Sequence, residues 1–264
     1  PNKLGKLMAY GSAATLIAYI FIILGWEKLN LSFNSAYMLA GLSCFAIAVI
    51  GYIIFPNFKA PVPQTKKMVI RKRYWLYYLL QFLSGARRQI FVVFAGFMMV
   101  ERFGMDVQQL TTLYLINLIL NIGLAPLLGR AVARYGERNA LVLEYFGLAL
   151  VFFAYGGIYL FGWGILIAAS LYILDHLFFA LALAIKTYFQ KIADPQDIAA
   201  TAAVAFTINH IAAIFLPVSL GFLWLISPFL VFCTAGTLAI FSFVLALLIP
   251  REPRIGKETI FCVS

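Results

Sequence analysis

Eight stretches of predominantly apolar residues recur along the chain, at 7–25, 35–55, 74–100, 108–128, 140–160, 164–188, 198–223 and 228–249. Each has the length, roughly 20 residues, that an α-helix needs to cross the hydrocarbon core of a bilayer. Lipid offers no partner to a backbone N–H or C=O, so spans of this length predict helices that satisfy those groups internally. The expected fold is therefore all-α, a polytopic membrane helical bundle of about eight transmembrane helices. Composition agrees: 64% of the residues are hydrophobic and 11% are charged, against about 25% charged in a soluble domain.

The formal net charge is +10. In a soluble protein such an excess would suggest nucleic acid, but here its distribution predicts orientation. Short connections such as "GWEKLNLSFN", "RFGMDVQ", "FGWG" and "ISP" join most spans. One connection differs. "FPNFKAPVPQTKKMVIRKR" carries three prolines, six basic residues and no acid; the prolines oppose helix. Placing it in the cytoplasm and alternating the loops puts sixteen of the twenty Lys and Arg on that side, as the positive-inside bias requires. Lys28 and Arg102 fall outside, and Arg87 and Arg88 fall within a span. The expected organisation is two helices in 1–56, a basic cytoplasmic linker in 57–73, six helices in 74–250 and a cytoplasmic tail in 251–264. Both ends would then be cytoplasmic, and the bilayer would be a plasma or inner membrane.

A charge at the bilayer centre costs several kcal/mol on common scales, so intramembrane polar residues mark pairs or sites. Arg87, Arg88 and Gln89 come about 13 residues into the third span, roughly 20 Å deep at 1.5 Å per residue. Asn117 and Asn121 lie four apart in the fourth, on one helical face. Asp175 and His176 are central in the sixth span, and Thr207, Asn209 and His210 in the seventh. The eighth span has no charge, and the fifth has only Glu144 near its cytoplasmic end. Four helices thus place polar groups at one depth, and the others read as lipid- or packing-facing. Arg87 or Arg88 would neutralise Asp175, face a cavity, or divide those tasks, because adjacent residues lie about 100° apart on a helix. The histidines and asparagines serve equally well as hydrogen-bonded packing residues or as site residues. Pro126 and Pro217 read as static kinks or as hinges.

Other chemistries find no motif. The three cysteines, Cys44, Cys233 and Cys262, form no metal or disulfide pattern. HExxH, GxSxG and Gly-rich phosphate loops are missing from the sequence, which argues against an intramembrane hydrolase and an ATP-driven pump. No cofactor is expected. The Asn209-His210 and Asp175-His176 pairs leave an intramembrane transferase as a weak alternative. A receptor or assembly protein on a transporter fold is another, since fold does not fix function.

The loop after the fourth span, "GRAVARYGERNAL", resembles the signature loop of the major facilitator superfamily. Gly129, Arg134, Gly136 and Arg138 occupy its glycine and basic positions, and Ala133 stands where the family has an acid. The layout is similar too, with a basic linker before six spans. This resemblance implies that the first two spans end one six-helix half and that four helices of the same chain precede Pro1. It further implies a central cavity bordered by the first, second, fourth and fifth helices of the second half, the helices that carry the midplane polar residues here. The implied activity is secondary active transport of a small solute by alternating access, the solute being anionic if the arginines face it. Arg87, Arg88, Gln89, Asn117, Asn121 and Asn209 would bind the solute. Asp175, His176 and His210 would handle a coupling proton, and Gly129, Arg134, Gly136 and Arg138 would form a conformational loop. The expected partners are the small-molecule solute, the lipid bilayer and the missing helices, with no nucleic acid.

Overall fold

The computed structural model describes residues 2–28, 32–54 and 70–261. Among them are eight long helical segments: α1 (Asn2–Lys28), α2 (Phe33–Ile54), α3 (Lys72–Phe103), α4 (Val107–Tyr135), α5 (Glu137–Phe161), α6 (Ile165–Ile192), α7 (Pro195–Ile226) and α8 (Pro228–Leu247). Each overlaps one apolar stretch of the sequence. Seven are long and apolar enough to cross a bilayer. In α1 the apolar run among the described residues is the shorter Gly11–Trp26. The basic connection lies outside the described residues at 57–69, as does Cys262. The chain is an all-helical integral membrane protein.

Packing divides the chain into two units. The first holds α1, α2 and Met105–Leu118. Its α2 buries none of its residues, and Phe45, Tyr52 and Ile53 are 70%, 92% and 74% exposed. A helix apolar on every side and uncovered by protein is one made for lipid. Within this unit Tyr19 meets Tyr114 with ring centroids 6.1 Å apart.

The second unit holds α3, α4 from Ile119 onward, and α5 to α8. Its centre is the long contact between α5 and α8, flanked by α3 against α7 and α5 against α6. An apolar core fills one end, where Tyr74, Tyr77 and Leu80 of α3 meet Leu141 and Tyr145 of α5, Tyr188 and Ile192 of α6, and Ala246 of α8. At the opposite end Trp224 donates to Glu101 Oε2 at 3.1 Å and packs on Phe94 and Phe232.

Two of the helices depart from regular geometry near the intramembrane polar residues. One π-helical turn, Phe91–Ala95, interrupts α3 just after the two arginines; such turns reset the helical faces and are frequent at functional sites. In α6 a 3₁₀ turn, Ala180–Ala182, separates Ile165–Phe179 from Leu183–Ile192. Pro126 and Pro217 interrupt neither α4 nor α7.

Helices α3 and α7 approach most closely at Gly85. A Cβ there would lie 2.4 Å from Asn209 Oδ1 and 3.2 Å from Asn209 Cα, so only glycine admits this spacing. Replacing Gly85 with Leu should force the helices apart and destabilise the unit by about 1–3 kcal/mol, the usual cost of overpacking. Thermal unfolding in detergent micelles, followed by far-UV circular dichroism, should show a lowered midpoint for Gly85→Leu and a smaller shift for Gly85→Ala.

Candidate functional site

The sequence predicts two arginines at the membrane centre, and the fold gives them opposite surroundings. Arg87 is 1% exposed. Its guanidinium donates to Ser242 Oγ of α8 and lies 3.7 Å from Glu144 Oε1 of α5. Its Cζ stands 4.3 Å above the Tyr145 ring, a cation–π contact. Asp175 of α6 is also buried, 2% exposed, but the acid that pairs with Arg87 is Glu144 and not the Asp175 that the sequence suggests. Both Glu144 oxygens and Asp175 Oδ1 accept no hydrogen bond.

Glu144 corrects the sequence reading. Its position near the start of α5 marks it as an end residue on a peripheral helix. The structure buries it completely, paired with Arg87. Helices α5 and α8 pack on each other along one side, while Phe146, Leu150, Phe241 and Val244 remain exposed on the other.

Arg88 is exposed. It continues a row along α3 made by Tyr77, Gln81 and Gly85, spaced so that they share one face. Gln81 accepts from Asn209 Nδ2 at 3.2 Å and donates to the Tyr77 hydroxyl at 3.3 Å. Of this row, Tyr77 and Gln81 border a cleft of about 350 Å³ between α3, α6 and α7, lined also by Lys186, Gln190, Asn209 and apolar neighbours. The cleft therefore presents the donors and acceptors of three amides, a phenol and one cation. Gln81, Lys186 and Gln190 escape the sequence reading. Gln81 stands one and a half turns before the arginines, and the other two lie near the far end of α6, so a midplane criterion passes over them.

His176 is half-buried. Asn121 Nδ2 lies 3.4 Å from its Nε2, and its ring is 6.2 Å from Phe91 of the π turn. The structure thus brings His176 and Asn121 together. His210 is exposed; its Nδ1 lies 2.9 Å from Phe206 O in its own helix, and its ring rests 4.0 Å from that of Phe206. Gln89 is half-buried beside Arg88. Asn117 is 1% exposed with neither amide atom hydrogen-bonded, and it belongs to the other packing unit from Asn121.

In the loop after α4, Gly129 lies inside the helix. Gly136 has φ +83°, a left-handed conformation that glycine adopts without penalty, and it forms the whole connection to α5. Arg134 is exposed and stands 5.6 Å from the neighbouring Tyr135 ring. Arg138 is half-buried in the first turn of α5. Glu137, where the signature has a base, is 3% exposed and pairs with Lys191 of α6 at 2.7 Å. The loop's acid–base tie therefore comes from a residue the signature does not mark.

The second unit thus combines a buried Arg87–Glu144 pair with a polar, partly cationic cleft among membrane helices. The family model described as Major Facilitator Superfamily matches residues 1–217, and the chain belongs to that superfamily of membrane transporters. Searches of curated proteins and of solved structures gave no match.

The Arg87 cluster makes a directional prediction about stability. Arg87→Met leaves the buried Glu144 without a cation, a change that costs about 3–5 kcal/mol when one partner of a buried pair is removed. Glu144→Gln leaves Arg87 its contacts with Ser242 and the Tyr145 ring and should cost less. Thermal unfolding of the two variants in the same detergent checks the order.

Proposed function

We propose that this chain forms solute-binding and gating helices of a secondary active transporter that works by alternating access and carries a small anionic solute. The supporting observation is the cleft where Tyr77, Gln81, Lys186, Gln190 and Asn209 converge, with Arg88 exposed further along the same face of α3. Arg88 and Lys186 supply positive charge, and Gln81, Gln190 and Asn209 supply donors and acceptors. Solute in this class binds near the midplane where the halves of the carrier meet. Arg87 supports this surface from behind by fixing α3 against α5 and α8, so its contribution is to placement and that of Arg88 is to recognition.

Proton coupling belongs to the same reading. Two buried acids cannot both ionise against one buried guanidinium without leaving an uncompensated charge in a low-dielectric interior. One of the two, Asp175 or Glu144, therefore holds a proton, and His176, beside Asn121, links that interior to the solute-facing side. Both ends of the chain and the loops rich in Lys and Arg lie in the cytoplasm, and the host bilayer is a plasma or inner membrane. Residues 57–73 join two helices to the six after them.

The test is uptake of a panel of small carboxylates and neutral analogues into liposomes under an imposed proton gradient. Arg88→Ala should lower carboxylate flux by roughly tenfold or more, equivalent to about 1.4 kcal/mol of solute binding. Undiminished flux in the Arg87→Ala/Arg88→Ala double variant would remove the anion assignment. Solute-dependent thermal stabilisation with no flux at all would convert the protein to a receptor on a carrier fold.

A further inference from the structure

The residues after α8 read in sequence as a solvated tail, yet Glu258 is 3% exposed and Thr259 is 2% exposed. A carboxylate enters the interior only with compensation, and Glu258 has it. Gly256 N donates to its Oε1 at 3.1 Å, and Arg73 Nη1 lies 4.0 Å from the same oxygen. Its backbone is held as well, since the Tyr188 hydroxyl donates to Glu258 O at 2.6 Å. Ile260 N donates to Leu248 O at 3.0 Å, which folds the segment back onto the end of α8.

The partners of this segment are the ends of the cleft-forming helices. Arg73 begins α3, Tyr188 lies in the last turns of α6, and the two are joined through the α6–α7 connection. There Arg73 pairs with Asp194, and Arg71 holds the fully buried Asp197 through two bonds of 3.0 and 3.1 Å. Tyr188 sits between Lys186 and Phe189, both of which line the cleft. Three cleft walls are thus cross-linked at one end, and Glu258 is the point where the tail joins them.

We propose that residues 251–260 are a clasp that sets how far the cleft between α3, α6 and α7 opens at this end. With the clasp seated, α6 and α3 are held at a fixed spacing. Releasing Glu258 frees the last turns of α6 and widens the cleft beside Ala205. The device does not depend on which solute is carried, and its readout is independent of flux.

Ala205 lines the cleft but is 5% exposed, which makes it a reporter. The experiment places Ala205→Cys in the chain with its three native cysteines changed to serine, and follows labelling by a membrane-impermeant maleimide in liposomes. Ala235→Cys, fully buried on α8 away from the cleft, is the control. Combining Glu258→Gln with Tyr188→Phe removes one charge and one hydroxyl while keeping side-chain volume, so the fold is retained. Labelling at position 205 should rise roughly tenfold, as expected for loss of one buried hydrogen bond together with the Arg73–Glu258 charge pairing, with position 235 unchanged. An unchanged rate at 205, or a rise at both positions, overturns the clasp.

Discussion

The arrangement of the second unit depends on the Arg87 guanidinium. In a bilayer, apolar side chains gain little by moving from lipid to a neighbouring helix, so packing detail and polar cross-links decide which faces meet. Arg87 ties α3 to α8 through Ser242 and to α5 through Glu144. Three helices converge on one charge, and any rotation of α3 about its axis would leave two ionisable groups unpaired in a medium that penalises each heavily. This fixes the rotation of α3, and with it the direction in which Arg88 points.

The spans were legible because their length and apolarity answer to bilayer thickness, which leaves little freedom. The eight helices therefore lie where the apolar stretches do. Rotation was not legible. Arg87 and Arg88 are equivalent in sequence depth, and only the placement of Glu144 and Ser242 buries one and exposes the other. Glu144 itself was misread because its partner, Arg87, lies on another helix, distant in sequence. His176 and Asn121 came together from two separately chosen helices, since both were placed by depth alone. Gln81, Lys186 and Gln190 lay outside that depth, so the cleft's extension toward the end of α6 was invisible. The buried tail was invisible for a different reason: a short polar segment after a last span gives no periodic signal, and its burial arises from Arg73 and Tyr188, distant in sequence.

The two sides of the unit differ in the kind of contact that holds them. Around α5 and α8 the contacts are buried, aromatic and charge-paired, with Tyr155 on Phe232 at 5.1 Å and Arg87 over Tyr145. Around the cleft a stacked aromatic pair, Tyr77 on Phe189 at 4.2 Å, stands beside a single amide bond of 3.2 Å, Gln81 with Asn209. Local opening favours the regions with fewest buried contacts, and α7, with 22% of its span buried against 61% for α3, is the less enclosed wall of the cleft. Gly85 and the π turn at Phe91–Ala95 lie on either side of the arginines, and the Tyr188–Glu258 bond lies at the far end of α6. On the proposed transport reading, the charge cluster would keep the interior in register, and the Gln81–Asn209 bond is the one a solute in the cleft would exchange for its own.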